Sequence, residues 1–411
     1  MAIKGKKFFV EGMGCALSQA DAKGLAEALR STGMTVVDKS EDADVIIING
    51  CAVREASDRK LSSSIRRLRN AGKEVIVTGC SAEVYPSVGL SAGASVIPLR
   101  DRRQFLGSLG CDLSGELGDL LPPPPGGPVY TLPIGTGCGG NCSFCATKLA
   151  RGTIASYPPK TLLRLVKEAV EKGAVEVDVT AVEINSWGRD LGMSFPELLG
   201  MMVDLPGDFR VRVGMINPRG LLIWIDDLLD AYRSSKVFKF FHVPVQSFSD
   251  SVLKNMRRGY TSDEAFEIFR KIKSAFPEAS VHTDIIVGFP GETDDDFSLT
   301  VSALKRVKFD KVNVARYSPR PLTDAATWEQ VPDPVKKVRS DLLSALWKEE
   351  ALAINRRYVG REVEALVVQG GDAPTARTQN YKQVVLRQPA FPGERLRVKV
   401  VEATPIDLRS F

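Results

Sequence analysis

Cys138, Cys142 and Cys145 lie in the run GTGCGGNCSFCATKLARG, a CxxxCxxC spacing that can wrap three thiolates around one iron–sulfur cube. Three ligands leave the fourth iron without a protein donor, and an open coordination position is where a metal centre does chemistry. Gly135, Gly137, Gly139 and Gly140 let the loop curl until the sulfurs converge. The competing reading is a zinc knuckle short of its fourth ligand. A second set carries a different signature. Cys15, Cys51 and Cys80 each follow a strand-like run, FFVEGMGC, VIIINGC and VIVTGC. Ligands of open α/β sheets collect at the carboxyl ends of strands, so these three sulfurs are expected to converge on a second cluster. One such cysteine alone reads as a small buried hydrophobe. Three matching ones are harder to explain that way. Cys111 belongs to neither set and reads as inert.

Hydrophobic periodicity predicts the elements that must carry these residues. Strand-like runs at Lys7–Glu11, Asp44–Asn49 and Glu74–Thr78 alternate with helical ones, including Gln19–Ser31 and a basic stretch through Arg69. That alternation predicts a parallel sheet with crossover helices. The proline- and glycine-rich run from Pro122 to Pro128 can continue neither element and marks a boundary. Six further strand-like runs follow, at Val129–Ile134, Val175–Ala181, Phe209–Met215, Val237–Pro244, Ser280–Val287 and Lys311–Tyr317. Helical patterns separate them, among them Pro159–Lys172 with two prolines at its entry. Six β/α repeats predict a partial barrel related to the TIM design. A helix over Val335–Tyr358 leads to a tail whose runs EVEALVVQ, KQVVLRQ and RLRVKVVEA read as a small β-barrel.

A chain of 411 residues with 44% hydrophobic and 26% charged residues suits two or three folded domains. No apolar run approaches the roughly 20 residues that span a bilayer, and the start MAIKGKKFFV lacks a signal-peptide pattern. A cytoplasmic location is the expectation. Seven cysteines, an odd number at modest density, argue against a secreted disulfide framework. Two histidines, His242 and His282, give little support to a histidine metal site or a Ser-His-Asp triad. The net charge of +5 permits a nucleic-acid partner. The tail from Arg357 holds nine Lys/Arg against six Asp/Glu, whereas residues 1–121 are nearly balanced. A basic β-barrel suits RNA, with Arg377, Lys382, Arg395 and Arg397 as candidate contacts, or else is a solvated cap. Arg54, Arg59, Lys60, Arg66, Arg67 and Arg69 follow Cys51 and could meet phosphates, as could Lys148 and Arg151 beside the cysteine loop. Charge runs of this kind on helices are usually only solvated faces.

The residues together resemble the methylthiotransferase family of radical-SAM enzymes over nearly the whole chain. The order of the cysteine sets carries that resemblance. The runs RVGMINP (212–218), KVFKFFHVPVQS (236–247), TDIIVGFPGET (283–293) and DKVNVARYSPRP (310–321) look like the archaeal and eukaryotic branch that modifies N6-threonylcarbamoyladenosine in tRNA. The resemblance implies a Rossmann-like parallel-sheet domain at 1–121, a partial (β/α)6 radical-SAM core at 129–350 and a TRAM-like antiparallel β-barrel at 351–411. It also implies two 4Fe–4S clusters, S-adenosylmethionine, and a one-electron reductant such as flavodoxin or ferredoxin. A 5′-deoxyadenosyl radical would then open the way to a 2-methylthio group on an adenosine next to the anticodon. Glu183 is expected to hold the methionyl amine. Asn217 and Gln246 are expected at ribose or carboxylate, and Asp284, Arg316 and Tyr317 among the remaining contacts of the cofactor. Two departures stand out. Ser18 replaces the family's asparagine, and Phe248 replaces a glycine, which questions a left-handed turn there. Alternative substrates are isopentenyl-adenosine in tRNA or an aspartate of a ribosomal protein. The remaining alternative is a non-catalytic, zinc-containing RNA-binding protein.

Overall fold

Runs of β-branched residues form the buried centre of the first sheet. The computed structural model describes residues 5–53, 55–99, 102–111, 121–122 and 126–410. Strands β1 (Lys7–Met13), β2 (Thr35–Val36), β3 (Val45–Gly50), β4 (Glu74–Gly79) and β5 (Ser95–Val96) pair in parallel in the order β2-β1-β3-β4-β5. Strand β3 is buried at every position, as a strand covered on both faces must be. Helices α1 (Ala16–Ser31) and α5 (Arg102–Ser108) cover one face, packing Leu25, Leu29 and Phe105 on Val45 and Ile47. Helix α2 (Glu55–Asn70) covers the other through Leu61, Ile65 and Leu68, a 4-3 spacing that makes one apolar stripe. Two short helices, α3 (Cys80–Val84) and α4 (Pro86–Ser91), follow β4. The two-residue edge strands β2 and β5 were not legible, because so few residues show no period.

Six parallel strands make the central body: β6 (Val129–Pro133), β9 (Glu176–Thr180), β10 (Arg210–Val213), β11 (Phe240–His242), β12 (Ser280–Val287) and β13 (Lys311–Arg316). They run as two three-stranded sheets, β6-β9-β10 and β11-β12-β13, joined by bridges at Val211–Val237 and Met215–His242. The result is an open half-barrel. Between β6 and β9 a two-stranded ribbon, β7 (Gly135–Thr136) with β8 (Ala155–Ser156), closes the base of the cysteine loop and its helix α6 (Ala146–Arg151). Helices α7 (Pro159–Glu171), α8 (Phe195–Val203), α9 (Pro218–Ala231), α10 (Asp250–Asn255), α11 (Ser262–Ala275) and α12 (Asp294–Val307) complete the repeats. Val177, Val179, Val211, Val281 and Ile285 pack with Leu162, Leu165, Leu198, Leu228 and Ile268 of these helices in one core. Alternate strand positions carry Glu176, Asp178, Arg212, His282, Asp284 and Asn313, so the other face of the sheet is polar. That differs from a full TIM barrel, whose interior is filled by layers of branched apolar residues.

Helix α13 (Asp333–Arg356) runs without a break across position 350 into the terminal barrel. Strands β14 (Glu362–Gln369), β15 (Thr375–Thr378), β16 (Gln383–Val385), β17 (Arg395–Ala403) and β18 (Leu408–Ser410) close in the order β14-β15-β16-β18-β17. The barrel is antiparallel except for the β16–β18 pair, which is parallel. It docks on the amino ends of the central strands. Leu366 and Val368 pack on Phe238 and Phe240, and Tyr381 Oη donates to Glu176 Oε1 at 2.7 Å. Gln379 Nε2 donates to the carbonyls of Ser235 and Val237. Among the described residues no helix is long and apolar enough to cross a membrane.

Candidate active site

The cysteine loop leaves β7 and is shaped by Gly137. Its φ of +75° suits glycine, and a Cβ there would sit 1.8 Å from Thr153 O, so a side chain is excluded. Gly140 fills the centre of the loop. A Cβ on it would lie 3.3 Å from Cys138 Sγ and 3.9 Å from Cys142 Sγ, and its N–H donates to Cys138 Sγ at 3.2 Å. Cys145 is the residue that precedes the first turn of α6; after burial, the Cys142 charge adds to the rise of Cys145, and the Cys145 charge adds to that of Cys138. Burial pushes the Cys138 thiol up to about 12, with the Glu183 carboxylate adding to it, and burial also pushes Cys145 up. Iron ligation removes such protons as it forms the thiolate.

The second set sits where the strand pattern placed it. Cys15 follows β1 as the first cap of α1, Cys51 follows β3, and Cys80 opens α3 directly after β4. Gly79 has φ +76°, and a Cβ there would lie 1.8 Å from Asn49 Oδ1, so the chain turns into Cys80 on a glycine. A Cβ on Gly14 would meet Cys51 Cβ at 2.9 Å. The charge of Cys15 raises both Cys51 and Cys80, though burial is the larger cause for each. Ser18 Oγ donates to Asn49 O at 3.2 Å and Asn49 Nδ2 returns a bond to Ser18 O, tying α1 to the end of β3 beside this set. Cys111 is buried in the hydrophobic core with Phe8 and Leu25.

Arg151 joins the two sets. It ends the short helix that Cys145 begins, and its Nε donates to Cys80 Sγ at 3.2 Å while Nη2 pairs with Asp21 at 2.5 Å. Ala146 and Ala150 of the same helix pack with Ala52, Val84 and Tyr85 of the amino-terminal sheet. Arg320, from the segment after β13, donates to Val53 O and pairs with Asp58 Oδ2 at 2.6 Å, and its charge slightly opposes the burial that raises Cys51. Arg258 is buried and donates to Cys142 Sγ at 3.3 Å and to Pro244 O at 2.8 Å. Each cysteine set thus has arginine beside its sulfurs, a charge that would offset the negative charge of thiolates on a metal group. A glycine turn that brings Cys138 and Cys142 sulfurs within 4 Å of one Cβ position, with Arg258 at Cys142, fits the 4Fe–4S group. Among the described residues no three His, Cys, Asp or Glu side chains are grouped as a single-ion site. Arg258 carried no spacing signal, and Arg320 lay within a resembling run with no role attached.

The remaining sequence-derived candidates fall in distinct places. Glu183 Oε2 accepts from Cys138 Sγ at 3.0 Å and from Ser186 Oγ at 2.5 Å, so the carboxylate lies against a loop sulfur. Asn217 caps α9, accepting from Arg219 N at 3.1 Å. Gln246 adopts φ +77° and its backbone bonds to Asp284 O and Ile286 N, so the left-handed residue is Gln246 rather than position 248. Phe248 is buried against Phe266, Phe269 and Phe309. Asp284 Oδ1 accepts from His242 Nε2 at 3.0 Å and Asn313 Nδ2 at 2.7 Å. Arg316 is exposed at the end of β13, whereas Tyr317 packs against Phe289 and Met256.

Of the basic candidates, Arg59, Lys60, Arg66, Arg67 and Arg69 lie on the solvent side of α2, while Arg54 is outside the described residues. Lys148 donates to Cys138 O. Lys382 is buried, pairing with Asp310 at 2.6 Å and Asn355 at 2.7 Å. Arg395 forks onto Asp208, Arg377 donates to Gln383, and Arg397 is exposed.

Residues 132–304 match the radical SAM superfamily, and residues 7–96 match a family described as Uncharacterized protein family UPF0004. The chain is 38% identical over 398 residues to a Pyrococcus horikoshii protein named probable threonylcarbamoyladenosine tRNA methylthiotransferase, covering 92% of this chain and 93% of that one. It is 31% identical to the Homo sapiens threonylcarbamoyladenosine tRNA methylthiotransferase, covering 97% of this chain and 72% of the human one. Its fold is similar to a radical S-adenosylmethionine methyltransferase, TsrM, from Kitasatospora setae, solved with cobalamin and a [4Fe-4S] cluster. That likeness has a TM-score of 0.59 at 14% identity and covers 78% of this chain and 76% of the other.

Proposed function

Since the chain belongs to the radical SAM family of threonylcarbamoyladenosine tRNA methylthiotransferases, we propose that it installs a methylthio group at C2 of N6-threonylcarbamoyladenosine next to the anticodon, using two 4Fe–4S clusters. Arg151 is the observation that carries the two-cluster reading, because it begins in one cysteine loop and ends on a sulfur of the other set. Cys138, Cys142 and Cys145 would hold the cluster that binds S-adenosylmethionine, and Cys15, Cys51 and Cys80 the cluster that carries the sulfur to be delivered. With cofactor bound and one electron supplied by a flavodoxin- or ferredoxin-type donor, the first cluster supplies a 5′-deoxyadenosyl radical.

The protein's own part is placement. Glu183, against Cys138, is set to accept the methionyl ammonium. Arg258 and Gly140 N–H orient the loop sulfurs. Arg151 with Asp21, and Arg320 with Asp58, lock the amino-terminal sheet to the half-barrel, so that both centres address one nucleoside. The exposed basic face of α2 would meet tRNA phosphates. The domains would then divide at 1–121, 129–350 and 351–411.

The test is anaerobic reconstitution with iron, sulfide, S-adenosylmethionine and dithionite on tRNA carrying threonylcarbamoyladenosine, followed by nucleoside mass spectrometry. A methylthio product is expected. Cys142→Ala should abolish 5′-deoxyadenosine, whereas Cys80→Ala should keep it and lose only the product. A wild type that converts isopentenyl-adenosine instead sinks the substrate assignment, and one cluster's worth of iron in the wild type sinks the mechanism.

A further inference from the structure

A cavity of about 420 Å³ lies in the half-barrel, lined from β9 to β13 and closed below by the terminal barrel. Its walls are polar. Arg212 of β10 projects over the rings of Phe240 and Tyr381, with its carbon 4.9 and 5.8 Å from their centroids. Its buried Nε has no hydrogen-bond partner, and among the described residues its guanidinium forms no ion pair. Arg377 stacks on the same Tyr381 ring at 4.7 Å, and its Nε is also unpartnered. Lys311 lines the same space. Asp178, in register with Arg212, offers an acceptor, and the Asp284–His242–Asn313 cluster stands above. Two half-buried arginines, each with a buried Nε that meets no acceptor, ask for an oxyanion.

The depth agrees with the chemistry above. Thr180 ends β9 a short step before Glu183, and Asp178 is two residues deeper, roughly 7 Å at strand rise. A nucleoside placed at the carboxyl edge would direct a side chain on N6 down to that level. A threonylcarbamoyl group carries N–H and hydroxyl donors and a terminal carboxylate, whereas an isopentenyl group offers nothing to arginine or aspartate.

Resting on the proposed substrate, we propose that this cavity is the selectivity pocket for the threonylcarbamoyl side chain, with Arg212 and Lys311 taking its carboxylate and Asp178 its donors. The terminal barrel then has a second duty. Its Tyr381 and Arg377 form the pocket floor, so the domain reads the modified base as well as any RNA it holds.

The experiment measures binding of the reconstituted holoenzyme to two anticodon stem-loops, one with threonylcarbamoyladenosine and one with plain adenosine. The wild type should prefer the modified stem-loop. Arg212→Gln should weaken the modified stem-loop by tenfold or more, the scale of a lost charge-assisted bond, and leave the plain one unchanged. Lys311→Gln, at an exposed position with no core contact to lose, should erode the same preference. Equal loss on both stem-loops, or full preference kept in both variants, overturns the pocket while the substrate reading stands. A wild type without preference that also fails to convert modified tRNA overturns both.

Discussion

Single residues decide how the two cysteine sets are coupled. Arg151 and Asp21 are both largely buried, with side chains 15% and 11% exposed, and each is the other's ion-pair partner. Breaking a buried pair from one side strands a charge, at a cost of about 3–5 kcal/mol. Arg151→Met should therefore lower the denaturation midpoint of the metal-free protein, and Asp21→Asn in the same chain should recover part of the loss. No recovery in the double variant would mean that the pair contributes only through packing. Glu176 gives a pH signature. Burial, then the neighbouring Asp178, pushes its carboxyl up from 4.5 to about 8, against the favourable Tyr381 hydroxyl and Arg377 charge. The folded state keeps a proton that the unfolded chain has lost between those values, so this group's contribution to stability declines as pH rises from about 4.5 to about 8. Glu176→Gln should melt like the wild type near pH 4 and gain on it steadily toward pH 8. A constant difference across that range refutes the assignment.

At the scale of elements, α2 pairs a buried stripe with a basic outer face. Arg66 and Arg67 are exposed on that outer side, directly downstream of Cys51. Phosphate contacts appear in the salt dependence of binding, about one unit of slope per neutralised charge. Arg66→Glu with Arg67→Glu should weaken tRNA binding and reduce the slope of log affinity against log salt by about two, with the melting temperature unchanged. An unaltered slope assigns the face to solvent alone. The strands leading to Cys15, Cys51 and Cys80 were legible because short aromatic or β-branched runs followed by glycine declare both strand and exit. The turn at Gln246 was not. A glutamine with positive φ carries no local signal, and Phe248, where the sequence put a left-handed turn in doubt, holds a buried core ring.

For the whole molecule, the terminal barrel shows why charge counts mislead about placement. Lys382 and Arg397 look alike in sequence, yet Lys382 lies buried on Asp310 and Asn355 while Arg397 faces solvent. Lys382→Met should destabilise the docked barrel by about 3–5 kcal/mol, and Arg397→Met by no more than about 0.5 kcal/mol, as urea denaturation would read. Similar losses in both would contradict the burial. The sequence by itself determined the α/β order, the two cysteine sets and the closed terminal barrel, because spacing, strand exits and alternation are local properties of the chain. Only the tertiary structure decided that Arg151, Arg258 and Arg320 stand at the sulfurs and that the terminal barrel sits at the amino ends of the central strands. The same holds for Arg212, whose buried Nε meets no acceptor among the described residues and whose guanidinium lines a polar cavity. Which long side chain meets which buried partner depends on contacts between segments far apart in sequence, and no periodicity records them.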